Sequence, residues 1–174
     1  MKHTSTSLLV AAGVAAAALC AHSQQMKDDA SSKEPKAFII VGRLKDFGSR
    51  NWRPSVYVDE TELARSQNGR YFVAKVDPGK RSVRAEDPKH ALHMDLKAGD
   101  CYFFRVEIAS GLAKAHGQLV GLTPEQGASD LKQLTPIDLS HVKDPSEVLS
   151  AEQAVTVAAR CTAEPPSSAP STLP

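Results

Sequence analysis

The chain has 174 residues, 41% of them apolar, which is enough to bury the core of one domain. Its 21 Lys and Arg stand against 20 Asp and Glu, a formal net charge of +1. That balance argues against a nucleic-acid-binding role, which calls for a basic patch with little opposing charge.

Lys2 and His3 precede an apolar stretch from Leu8 to Leu19, followed by the small residues Ala21 and Ser23. This is the pattern of a secretory signal over residues 1–23, cleaved after Ser23, and it implies a periplasmic or extracellular protein. The stretch is too short and too alanine-rich for a membrane-spanning helix, which needs about 20 apolar residues. A rival reading makes Cys20 the lipidated first residue of a membrane-anchored lipoprotein, although Leu19 stands where that processing prefers a small side chain. Residues 24–36 are polar and rich in Lys, Asp and Ser, and read as a flexible leader.

Phe38 to Val41 form a continuous apolar run, a first strand buried on both faces or one covered by a helix. Arg43, Lys45, Arg50 and Arg53 then populate a loop around Trp52, read as a solvated connection whose tryptophan caps one end of the core. From Pro54 to Ile108, short alternating runs separated by turn residues suggest an antiparallel meander. Val56 and Val58 alternate with Tyr57 and Asp59. Asn68-Gly69 reads as a hairpin turn because both residues accept positive φ, and Arg70 to Val76 is the next strand. Asp77-Pro78-Gly79 turns the chain. Arg81, Val83 and Ala85 alternate with Ser82, Arg84 and Glu86. Leu92, Met94 and Leu96 face in, with His93, Asp95 and Lys97 facing out. After Ala98-Gly99-Asp100, the residues Tyr102, Phe104, Val106 and Ile108 form the most apolar face of the chain.

The elements Val56-Tyr57-Val58-Asp59, Asn68-Gly69-Arg70-Tyr71-Phe72, Pro78-Gly79-Lys80 and Ala98-Gly99-Asp100-Cys101-Tyr102-Phe103 resemble a bacterial family of small secreted or lipid-anchored proteins, known only as a domain of unknown function. The resemblance runs from Pro54 to Leu122. It implies a β-sandwich, immunoglobulin-like or transthyretin-like, and no reaction. Glu60 departs from the pattern where a glycine is expected, which suggests a longer loop there.

Gln118 to Leu122 supply a last strand. Thr123-Pro124-Glu125-Gln126 is a helix start with a capping box, and Ala128, Leu131 and Leu134 are expected to face the sheet. Asp144-Pro145-Ser146-Glu147 and Ser150-Ala151-Glu152-Gln153 offer two further starts, so one helix or two follow. Val148, Ala151, Val155 and Ala158 share a helical face, while the Val155-Thr156-Val157 alternation leaves a strand open. Residues 163–174 are a Pro/Ser-rich tail read as disordered. The fold class is therefore mainly β, an antiparallel β-sandwich over residues 37–162 with one or two C-terminal helices.

Candidate chemistry is sparse. His90, His93 and His116 offer imidazole nitrogens for a metal, but residues three apart on a strand point to opposite faces, and no carboxylate or cysteine completes a set. Asp59-Glu60 and Glu86-Asp87 lack the ligand spacing of a calcium loop. No nucleophile elbow, zinc-protease motif or phosphate-binding glycine loop is present. No catalytic residue, cofactor or metal ligand is assigned. The reading is a secreted, non-catalytic binding or structural module of the envelope. Its partner is an envelope protein or glycan and not a nucleic acid, and the membrane enters only through lipidation at Cys20. Its outer sheet face carries Tyr57, Arg84, His93, Asp95, Arg105 and Glu107. The alternative is an envelope hydrolase or metal-dependent enzyme using His90, His93 or His116.

With the signal removed, Cys101 and Cys161 remain in an oxidising compartment. Cys101 shares a strand face with Phe103, which implies that this face is covered, and the C-terminal helix ending at Cys161 is the natural cover. A Cys101–Cys161 disulfide pinning that helix to the sheet is expected.

Overall fold

Ala37–Arg43 (β1) buries both of its faces, as the unbroken apolar run predicts. Ala37, Ile39 and Val41 enter one core, while Phe38 and Ile40 enter another on the opposite side. The computed structural model describes residues 35–110 and 115–163. The signal at 1–23, Cys20, the leader up to residue 34 and the tail from residue 164 lie outside the described residues. The leader's last residue, Lys36, belongs to the fold: its carbonyl accepts from Gly99 N–H at 2.9 Å and its ammonium bonds Asp77 at 2.5 Å.

The remaining strands are β2 (Ser55–Val58), β3 (Thr61–Arg65), β4 (Arg70–Val76), β5 (Gly79–Arg84), β6 (Leu92–Leu96), β7 (Cys101–Ser110), β8 (Ala115–Leu122) and the short β9 (Thr135–Pro136). One sheet has the order β8-β7-β1-β4-β9 and the other β3-β2-β5-β6. The protein is thus mainly β, as expected, although the larger sheet is mixed, because β1 pairs parallel with β7 and β4 with β9. Val56, Val58, Val83 and Leu96 of the smaller sheet meet Ile39, Val41, Phe72, Ala74, Phe104 and Val106 of the larger one.

The chain order corrects the meander. Asn68-Gly69, Asp77-Pro78-Gly79 and Ala98-Gly99-Asp100 do turn the chain, with Gly69, Gly79 and Gly99 at positive φ, but each carries it from one sheet to the other. Alternation identifies a strand and its buried face; it does not name the neighbour. The longer loop expected at Glu60 is also corrected. Val58 pairs with Thr61, so Asp59 and Glu60 alone make a tight turn into β3, a strand the sequence reading missed. Asp59 supplies the positive φ, 52°, that glycine would have supplied. Its side chain secures the turn by accepting from Ser82 N–H and Arg81 Nη1, both at 3.0 Å.

Helix α1 (Pro124–Leu131) begins at Thr123 with both bonds of the expected capping box. Its fully buried residues are Gly127 and Asp130; the expected Leu131 is partly buried against the core under the helices, and Ala128 is half-buried. A side chain at Gly127 would meet the Phe103 ring, so glycine lets the helix settle on β7. Leu134 does reach this core, but from beyond the helix end. Helix α2 (Ala151–Ala163) is a single helix, which excludes the strand alternative at 155–157. It is capped reciprocally by Ser150 and Gln153, while Asp144-Pro145-Ser146-Glu147 forms a turn. Its buried face is Ala154, Ala158 and Cys161. Ala151 and Val155 were expected on that face and are exposed, because the stripe at i, i+4, i+7 starts from Ala154.

The helices cover the outer face of the larger sheet, packing on Ile40, Tyr71, Val73 and Phe103. Cys101 and Cys161 lie at disulfide-bonding distance with their Cα atoms 5.8 Å apart, the juxtaposition the sequence predicts. Arg160 stacks over the Phe38 ring at 4.6 Å.

Candidate functional site

The connection from β1 to β2, residues 44–54, is held by side chains from within it and from both of its neighbours. Arg43, placed by sequence in the loop itself, is instead the last residue of β1 and only 2% exposed. Its guanidinium turns up into the loop and donates to Trp52 O, to Ser49 O at 2.7 Å and to Ser49 Oγ at 2.8 Å. Burial lowers the Arg43 pKa from its ordinary value, and the carbonyl dipoles replace the lost water. Asp46 closes the same turn. It accepts from the Ser49 hydroxyl and from Gly48 N–H, which hold its carboxyl below the usual range. Asn68 on the neighbouring crossing accepts from Asp46 N–H at 2.8 Å.

This framework presents an unusual surface. Phe47 is 89% exposed, and Trp52 is half-buried beside Ile108 along a groove of about 510 Å³ that also runs past Arg50 and Asn51. Trp52 thus walls a groove and is absent from the sandwich core it was expected to cap. Lys45, Arg50 and Arg53 are exposed and pair with no carboxylate among the described residues. The loop therefore joins a projecting apolar ring to three uncompensated cations.

The other sequence candidates separate. His90, in the short turn Pro88–His90 between β5 and β6, and His116 of β8 come together, their rings stacked with centroids 5.4 Å apart. His90 Nδ1 lies 3.2 Å from Asp87 Oδ2. His93 stands elsewhere, opposite Ser82 on the outer face of the smaller sheet. No group of three or more His, Cys, Asp or Glu side chains among the described residues is arranged to hold a metal ion.

The expected mixed-charge face is really two. Tyr57, Arg84, His93 and Asp95 lie on the smaller sheet, where Arg84 sits over the Tyr57 ring at 4.0 Å. Arg105 and Glu107 lie on the larger sheet, where Glu107 is exposed and Arg105 grips Asp130 of α1 through two bonds of 2.7 and 2.8 Å. Sequence reasoning missed Asp130 because it looked for apolar residues on the covered face. The signal available was the spacing of Asp130, three residues past Gly127 and seven past the cap residue Thr123, which puts it on the stripe that includes Gly127.

Two facing sheets with a helical cover over the larger one define a small, mainly β sandwich domain. Residues 33–118 match the model of the family described as protein of unknown function (DUF2846), so the resemblance carried by the turn and core motifs is shown. The match starts earlier than Pro54, taking in β1 and the 44–54 loop, and leaves α1, α2 and Cys161 outside it. No curated protein and no solved structure matches the chain.

Proposed function

We propose that the protein is a non-catalytic binding module of the bacterial envelope, exported by the segment 1–23, which meets its partner through loop 44–54. The observation that carries this reading is Phe47: an aromatic side chain 89% exposed on a loop that a buried arginine and several side-chain bonds hold in place. Binding residues concentrate on loops positioned by a rigid scaffold, and Phe47 with Trp52 and Ile108 puts apolar surface along one groove there. Among the described residues no helix is long and apolar enough to cross a membrane.

The test is affinity capture from envelope extracts with the wild-type chain and with Phe47→Ser. The expected result is an envelope component, whether protein, glycan or lipid, retained by the first and lost by the second. Equal recovery by both forms would remove the loop from the account. Mass spectrometry of the native chain is expected to find Gln24 at its N-terminus, and an acylated Cys20 would make it an anchored lipoprotein instead.

A further inference from the structure

Phe47 is the most exposed large apolar side chain among the described residues, and Val155 at 51% is the other of note. The cations around Phe47 are Lys45, Arg50 and Arg53, against the single carboxylate Asp46, so loop 44–54 carries a formal +2. Asp46 is already engaged by Ser49 and Gly48. The cations have no carboxylate partner among the described residues and are free to meet anions from outside.

From this we propose that loop 44–54 docks the protein on an anionic lipid bilayer, with Phe47 entering the boundary between headgroups and acyl chains. The inference rests on the reading of the loop as the binding surface and names its occupant. Two features favour a lipid surface. The whole Phe47 side chain is apolar, so hydrocarbon accepts it without stranding a polar group. Lys45, Arg50 and Arg53 share its loop with one carboxylate, Asp46, and basic side chains are attracted to an anionic leaflet. Trp52, half-buried at the foot of the loop, is amphipathic in the way that suits headgroup depth. Because Arg43 and Asp46 hold the loop already formed, docking orders little additional backbone.

The chain has one tryptophan, Trp52, so its own fluorescence reports on the loop. The purified mature chain, residues 24–174, which lacks both the apolar signal and Cys20 so that no acyl group contributes, is mixed with vesicles of phosphatidylcholine alone or with about one third phosphatidylglycerol. Binding to the anionic vesicles alone is expected, with Trp52 emission moving to the blue and quenched by brominated acyl chains. Phe47→Ser is expected to weaken binding at least about tenfold. Arg50→Gln and Arg53→Gln are each expected to weaken it about fivefold, and salt should weaken it further. Phe47 is exposed, so circular dichroism of its variant should match wild type.

Absence of binding to anionic vesicles, or binding unchanged by Phe47→Ser, overturns the lipid assignment. If vesicles fail while envelope capture still depends on Phe47, the occupant is a protein or glycan and the binding-module reading survives. If Phe47→Ser alters neither, both readings fall.

Discussion

Replacing Cys101 and Cys161 together by alanine perturbs the one covalent link between the sheet and its helical cover. The two residues are 60 apart in sequence. Closing a loop of that size restrains the unfolded chain by about 4 kcal/mol in the chain-entropy model. The folded contacts of α2 do little to offset such a loss, because its buried face is Ala154, Ala158 and Cys161. Alanine buries far less than the side chains worth about 1.5–3 kcal/mol each. Besides these, α2 offers the partly buried Val157 and the contact of Arg160 with Phe38. Urea unfolding of the oxidised chain, the reduced chain and the double variant is expected to place the last two about 4 kcal/mol below the first. Native-state hydrogen exchange should show the α2 amides losing protection first, while β1 and β4, buried on both faces, keep theirs. Thiol titration of the mature chain under denaturing, non-reducing conditions should find no free thiol. Two free thiols, or a loss below about 1 kcal/mol, would refute the reasoning that the cross-link holds the cover in place.

Asp130→Ala removes the partner of Arg105 beneath α1 and is expected to cost about 2 kcal/mol, below the full cost of breaking a buried pair because Arg105 is partly exposed; urea unfolding measures it. Gly127→Ala should destabilise by about 1–2 kcal/mol in the same assay, although alanine favours helices, because its methyl meets the Phe103 ring. Asp46, Asp77, Asp87, Asp138 and Asp144 all have folded pKa values held below the ordinary one by hydrogen bonds. The stability they contribute is present above the unfolded value of about 3.9 and is lost as pH falls through the lower folded values. Lys36, raised chiefly by its bond to Asp77, acts in the opposite sense: its contribution is complete below its unfolded pKa and fades as pH rises through the folded one. Melting temperature against pH should therefore fall at both extremes, and a curve flat down to pH 2 would contradict these shifts.

Strand positions and buried faces were legible because alternation is a local property. Phe104 and Val106 against Cys101 and Phe103 sort into the two cores as their parity requires. Pairing was not legible, since glycine turns look alike whether the chain doubles back or crosses to the facing sheet. β3 escaped notice because Thr61, Glu62 and Arg65 hide the apolar Leu63 and Ala64, and because Asp59 took a backbone conformation usually left to glycine. Cap chemistry placed both helix starts, while small residues obscured their buried faces: Gly127 and Ala154 carry little hydrophobic signal. At the loop, basic residues near a tryptophan were visible, but Arg43 inside and Phe47 outside are inversions of the usual burial rule that only tertiary packing produces.

The most direct test of loop 44–54 as the binding surface is photo-cross-linking in living cells, with a photoreactive phenylalanine analogue at position 47 or at the exposed position 155. Labelling of an envelope component from position 47 and not from position 155 is the predicted result. Equal labelling from both positions, or none from position 47, would contradict it.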